Sequence, residues 1–289
     1  MEHGTIVFAG GGVAGIAWEV GVLQGIADAD AELAARLLEP STAFIGTSAG
    51  SAVAAQLGTG IALSAAYETQ LADETADLGA DVDRAALEQA YAEAIQGATS
   101  PQDARRRIGA LALAAPAGDE DARRAVIAAR LTDHRWPERD LRVTAVDTAS
   151  GDLRVFDRDS DVPLVDAIAA SCAVPGVWPP MTIDGARYMD GGVRSGSNAD
   201  LAAGSPWVLI ITPLPGVGAP GIGTIPTNEL EALGSAAVEI VYADAASIAA
   251  FGPNSLDPST RVASAQAGRA LGATAAGRIR SLLAAAPAT

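Results

Sequence analysis

Ser48 sits in the run Gly46-Thr47-Ser48-Ala49-Gly50, a serine with a glycine two residues to either side. A serine hydroxyl attacks a carbonyl only when a base takes its proton and fixed donors receive the charge that builds on the oxygen. The G-x-S-x-G spacing suits a sharp strand-to-helix elbow, with the serine projecting at a helix N-terminus and the amide of Ala49 available as one donor. A second glycine run, Gly10-Gly11-Gly12-Val13-Ala14-Gly15, offers further amides. Asp190-Gly191-Gly192 offers a carboxylate at a strand end, where the glycines let the backbone turn away without hindrance. Asp147, which follows the apolar run Leu141 to Val146, is the other acid comparably placed.

The inventory removes several other chemistries. The chain has two histidines, His3 and His134, and neither follows Asp190 as a serine–acid–histidine triad in the α/β-hydrolase order requires. His3 precedes the first strand and His134 lies in a polar linker, so a histidine metal site is not expected either. All 19 basic residues are arginine, which excludes lysine-based phosphate loops, Schiff bases and lysine-assisted serine mechanisms. The single cysteine, Cys172, has no internal disulfide partner, and thiol chemistry there is disfavoured because no histidine stands near it in sequence.

The elements that must hold these groups are legible from periodicity. Gly4 to Ala9 reads as a short buried strand running into glycines, and Ile16, Ala17, Val20, Leu23 and Ile26 then recur at helical spacing. Ala43 to Ile45 repeats the plan, with Gly46 to Gly50 as the turn and Val53, Ala54 and Leu57 on the next helix. Two strand–turn–helix units in succession predict a parallel, helix-covered sheet, hence an α/β fold. Residues 63–130 are Ala-rich and charged and read as a helical insertion, capped at Asp83, Ser100 and Asp119 with Pro101 in a first turn. Its distributed charges favour packing over a lid. Leu141 to Val146 with Leu153 to Phe156, and Met181 to Ile183 with Ala186 to Met189, read as hairpins. Trp207 to Thr212 is a central buried strand, and residues 227–289 are expected to form two long helices, Thr227 to Ala250 and Ser259 to Ala286. With 289 residues and no dividing linker, the chain reads as one domain.

A formal net charge of −16, with 35 acidic residues against 19 basic, argues against nucleic acid and anionic bilayers as partners. No apolar stretch approaches the roughly 20 residues of a membrane span, and no charged, apolar leader pattern opens the chain, so a cytoplasmic protein with at most peripheral membrane contact is expected.

The Gly10 to Gly15 loop also fits the dinucleotide fingerprint G-x-G-x-x-G, which would make the chain an oxidoreductase binding a nicotinamide or flavin cofactor. That reading asks for an acid at the end of the second strand. The sequence there runs through Phe44-Ile45 into Gly46-Thr47-Ser48, and Asp28 and Asp30 lie earlier, at the helix end. A catalytically silent binding or scaffold protein is the remaining alternative.

Taken together, Gly10-Gly11-Gly12-x-x-Gly15 with Gly21-Val22-Leu23, Gly46-Thr47-Ser48-Ala49-Gly50, Ala170-Ser171-Cys172-Ala173-Val174-Pro175 with Pro179-Pro180, and Asp190-Gly191-Gly192 resemble the patatin-like phospholipase family in order and spacing. The resemblance spans residues 4–215. It implies a three-layer α/β/α fold with a mostly parallel sheet and a Ser-Asp dyad, with Ser48 as nucleophile and Asp190 as base. It also implies an oxyanion hole from the amides of Gly11 and Gly12, a lipid or other acyl ester as substrate, and no metal or organic cofactor. Val13, Val174, Val177, Trp178 and Met181 are the expected apolar lining for an acyl chain. Many members carry Arg or Lys where this chain has Ala14, which leaves oxyanion stabilisation to amides and helix dipoles.

Overall fold

The computed structural model describes residues 3–73, 79–80, 82–116, 118–214, 217–218 and 225–285; positions 74–78, 81 and 117 of the expected insertion, and Ala286 at the end of the expected last helix, lie outside them. Strand β1 (Thr5–Phe8) leads into α1 (Gly12–Ala29) and α2 (Ala31–Leu37), and β2 (Ala43–Thr47) leads into α3 (Ala49–Gly58). Four helices follow: α4 (Leu63–Leu71), α5 (Arg84–Ile95), α6 (Pro101–Ala114) and α7 (Glu120–Ala129). Three of these start where side-chain caps were predicted. Asp83 accepts from the Ala86 amide at 3.0 Å, Ser100 from Asp103 at 3.0 Å and Asp119 from Ala122 at 2.8 Å, with Pro101 in the first turn of α6.

Strands β3 (Leu141–Asp147) and β4 (Leu153–Phe156) form an antiparallel hairpin, α8 (Leu164–Ser171) follows, and β5 (Met181–Ile183) pairs with β6 (Ala186–Asp190) as a second one. Next come β7 (Trp207–Thr212), the two-residue strands β8 (Val217–Gly218) and β9 (Ile225–Pro226), α9 (Thr227–Ala232), β10 (Ala237–Tyr242), α10 (Ala245–Phe251) and α11 (Arg261–Ala285). The main sheet runs β10-β7-β1-β2-β3-β6-β5, with β4 also on β3. Its pairings from β10 to β3 are parallel, and those of β4, β5 and β6 are antiparallel.

Alternation along the strands sends their side chains to the two faces of the sheet. Ile6, Phe8, Phe44, Leu209 and Ile211 face the core shared with residues of α1, α3, α8 and α11. Val7, Ile45, Val208 and Ile210 face a thinner layer with Ala199, Ala202 and Leu233, and Val146 and Met189 meet Ile108 and Ala112 of α6 on a third cluster. The architecture is the expected α/β plan with helices on both faces of a mostly parallel sheet.

One expected element is corrected. The span Thr227 to Ala250 is not a helix: α9 stops after Ala232, Gly234 turns the chain at φ +62°, and Ala237–Tyr242 becomes β10, which extends the sheet beside β7. The β-branched Val238, Ile240 and Val241 and the aromatic Tyr242 favour a strand, and the alanine-rich surroundings hid that signal. The final helix does form, and it crosses α1 at very short range. A Cβ on Gly25 would lie 1.9 Å from the Arg269 carbonyl oxygen, and one on Gly268 would lie 2.2 Å from that of Trp18, so glycines on both helices permit the approach.

Candidate active site

The elbow forms at the end of β2. Ser48 has φ 52° and ψ −119°, a left-handed-side conformation that costs a non-glycine residue on the order of 1–3 kcal/mol, and it stands immediately before α3. Neighbouring groups hold it there. Its amide donates to Ser171 Oγ at 2.8 Å, while its carbonyl accepts from Ser51 Oγ at 2.6 Å and from Cys172 Sγ at 3.2 Å. The flanking glycines are required by close approach, since a Cβ on Gly50 would lie 2.2 Å from the Phe8 carbonyl oxygen and one on Gly46 would lie 2.5 Å from Ser51 Cα.

Asp190 ends β6, and β3 sets its place relative to Ser48. Thr144 pairs with Thr47 of β2, and the next residue, Ala145, pairs with Asp190 of β6. Consecutive residues of one strand thus carry the residue before the serine and the carboxylate itself. The Asp190 amide donates to the Ala173 carbonyl at 2.9 Å, and Oδ1 accepts from the Gly192 amide at 2.7 Å. The Ala170 to Pro175 segment therefore has a physical role, in which Ser171 and Cys172 hold the backbone of Ser48 and Ala173 holds that of Asp190.

Asp190 is 4% exposed and Ser48 is 8% exposed. Burial raises the Asp190 pKa from the ordinary 3.8 to about 6, and the Ser48 hydroxyl, the Gly192 amide and the charge of Arg123 each pull it part of the way back. Among the described residues Oδ2 has no hydrogen-bond partner. A carboxylate with one free buried oxygen and a pKa near 6 can accept a proton and release it near neutral pH. Asp147, the other candidate acid, is engaged elsewhere: its Oδ1 accepts from the amides of Ala149 and Ser150 and shapes the β3–β4 turn.

The glycine loop lies across the same opening. Gly12 begins α1 and Ala49 begins α3, so neither amide has an intrahelical acceptor. Gly11 is the residue just ahead of α1. The Gly10 amide donates to the Gly196 carbonyl at 2.8 Å, and Gly15 donates to Gly11. Gly12 has φ +68°, and a Cβ there would lie 2.7 Å from the Ser255 carbonyl oxygen, which also accepts from the Ala14 amide at 3.0 Å. The segment after α10 thus braces the loop, a contact between distant parts of the chain that no local pattern announces. The dinucleotide alternative gains no acid here, because β2 ends at Thr47 beside Ser48.

A cavity of about 20 Å³ opens at Ser48, lined by Gly12, Ala49 and Cys172, by the apolar Val13, Ile16, Val174, Trp178 and Leu256, and by Arg123 and Arg130. Three of the five expected lining residues, Val13, Val174 and Trp178, are therefore brought to the serine. Met181 is not, being fully buried in the main core, and Val177 is not part of the wall. Ile16 and Leu256 are apolar lining residues that sequence reading missed.

Helix α7 brings Arg123 and Arg130 follows at its end, so the stretch expected as a helical insertion does more than cover the sheet. The Arg123 guanidinium lies 4.1 Å from the centre of the Trp178 ring, and the residue is 5% exposed. Its sequence signal was an arginine on the buried face of α7, in register with Val126 and Ile127. Tyr91 of α5 donates to the Pro175 carbonyl at 2.7 Å, and burial and the Asp190 charge push its phenol upward, which keeps it neutral. Burial likewise raises the Cys172 thiol, whose contacts with Ser48 and Ser51 are those of a packing group. His134 is an exposed residue whose ring meets the Ala128 carbonyl, remote in role from this site.

No helix among the described residues is long and apolar enough to cross a membrane. Comparison with curated proteins finds no match. Among solved structures, the chain is similar to VipD from Legionella pneumophila at 12% identity and a TM-score of 0.48, covering 96% of this chain and 67% of that one. It is also similar to the type III effector protein ExoU at 17% identity and a TM-score of 0.41, covering 96% of this chain and 53% of that one. The family model for patatin-like phospholipases matches residues 6–203, a span that contains the glycine loop, the serine elbow and the Asp190-Gly191-Gly192 turn. The chain belongs to the patatin-like phospholipase family, a family of lipid acyl hydrolases.

Proposed function

We propose that this protein is a serine acyl-ester hydrolase of the phospholipase A or lysophospholipase type, acting on lipid esters through a Ser48–Asp190 dyad. The observation that carries the reading is a serine held at a strained strand-to-helix elbow beside a buried carboxylate, one oxygen of which has no hydrogen-bond partner among the described residues. In the first half-reaction Asp190 takes the Ser48 proton as Oγ bonds to the ester carbonyl carbon. The resulting tetrahedral oxyanion is received by the amides of Gly11, Gly12 and Ala49. Its collapse breaks the bond to the leaving alcohol, which departs with the proton from Asp190 and leaves an acyl-enzyme. In the second half-reaction Asp190 takes a proton from water, the hydroxide attacks the acyl carbonyl, and the acid is released as Ser48 regains its proton.

The Ser48 amide is spent on Ser171, so the donors of this reading come from neighbouring residues. Losing one such donor costs on the order of 100-fold to 1000-fold in rate. The wall of Val13, Ile16, Val174, Trp178 and Leu256 is apolar, as an acyl chain requires, but its opening of about 20 Å³ holds little more than a water molecule and must widen to admit a chain. Intact-mass detection of fluorophosphonate labelling tests the reading, together with hydrolysis of p-nitrophenyl esters of graded chain length. Wild type should label once and turn over, while Ser48→Ala and Asp190→Asn should do neither. A folded wild type that resists labelling overturns the proposal.

A further inference from the structure

Asn198 is fully buried and has a left-handed backbone, φ 52°, behind the site rather than in it. The orientation of its amide is set by Arg194, whose guanidinium donates to Oδ1 at 2.7 Å while also pairing with Asp200 at 2.6 Å. With the oxygen so occupied, the two protons of Nδ2 point the other way. One reaches the Ser195 carbonyl at 2.8 Å, in the turn that follows Asp190. The other reaches Thr47 Oγ1 at 3.0 Å, in the residue before Ser48. The Gly191 carbonyl and Thr144 Oγ1 lie at 3.4 Å from the same nitrogen, and Thr47 Oγ1 and Thr144 Oγ1 are themselves 2.9 Å apart.

One amide therefore spans the seam where β2, β3 and the end of β6 meet, bonding to the chain on the serine side and to the chain on the aspartate side. The segment beneath it is anchored in turn. The Asn198 backbone N–H donates to Ser195 Oγ at 3.1 Å, and Glu229 accepts from Ser197 Oγ and from the Ala199 backbone N–H, each at 2.9 Å. A proton transfer between two side chains depends steeply on their separation, and misplacement by about 1 Å can cost about 100-fold.

We infer that Asn198 is a positioning residue for the Ser48–Asp190 pair, a clamp that fixes the distance between the two segments without touching substrate. This rests on the dyad reading proposed above. Asn198→Gly tests it directly, because glycine keeps the left-handed backbone at no steric cost and removes only the amide. Asn198→Asp keeps the volume and the Arg194 partner but loses both donated bonds. Ser205→Ala serves as the structural control, since it removes a buried side-chain bond of 2.7 Å to Thr5, at the opposite end of β1.

The expected result is a fall of about 10-fold to 100-fold in kcat and in the fluorophosphonate labelling rate for Asn198→Gly. KM should stay within about threefold of wild type, because the clamp does not contact substrate. Ser205→Ala should keep both rates at a comparable loss of thermal stability. Amide hydrogen exchange should accelerate at Ser48–Gly50 and at Gly191–Gly192 in Asn198→Gly and not in the control. Unchanged kcat, or loss in proportion to the unfolded fraction alone, overturns the inference. If wild type itself does not label, the dyad reading has failed, and the exchange comparison alone decides whether Asn198 couples the two segments.

Discussion

Replacing Asp190 by asparagine should abolish turnover and at the same time stabilise the protein above neutral pH. The carboxylate is raised from 3.8 to about 6 by burial, so the folded state binds its proton more tightly than the unfolded chain does. Stability from this group is fully present below pH 3.8 and is lost as pH rises through about 6. Two pH units at about 1.4 kcal/mol each give about 3 kcal/mol, the penalty carried by the ionised enzyme at pH 8. Asparagine is neutral throughout. Its oxygen can keep the bond from the Gly192 amide, and its amide nitrogen replaces the oxygen that makes no hydrogen bond, facing the Ser48 hydroxyl as an acceptor. Urea unfolding of both proteins at pH 8 and pH 5 isolates the effect. The advantage of Asp190→Asn over wild type should be larger at pH 8 than at pH 5 by about 1.4 kcal/mol, because at pH 5 the folded wild type is mostly protonated and the unfolded chain mostly is not. A pH-independent difference, or an advantage that grows toward acid, would refute a desolvated base at this position.

Three further outcomes follow from the same geometry. The acid limb of kcat/KM should fall near pH 6, and Arg123→Leu should move that limb to higher pH, cutting activity several-fold at pH 6 and far less at pH 8.5, because the Arg123 charge favours ionised Asp190; a profile that keeps its midpoint would show that Arg123 acts through packing on Trp178 alone. Ser48→Gly should be more stable than Ser48→Ala by about 1 kcal/mol in urea unfolding, since alanine retains the positive φ that glycine adopts freely; equal stabilities would mean that the elbow stores no strain.

Much of this protein was legible in its sequence because local chemistry decided it. Glycine spacing around Ser48, the strand-sized apolar runs and the capping residues Asp83, Ser100 and Asp119 act over a few residues, so pattern and element agree. The inventory of histidine, lysine and cysteine limited the chemistry before any fold was known. What the sequence could not determine were the contacts made across long separations. The β3 register puts Thr47 and Asp190 on neighbouring residues, Arg123 reaches the serine from an insertion read as covering the sheet, and Ser255 braces a loop more than 240 residues before it. The helix expected over Thr227 to Ala250 became β10 because an edge beside β7 was free to pair, which outweighs the modest helix preference of the alanines around it. Residue types and short spacings determine which groups can react, but a buried carboxylate acquires its pKa, and comes near a serine on another strand, only when burial and strand pairing bring distant segments together.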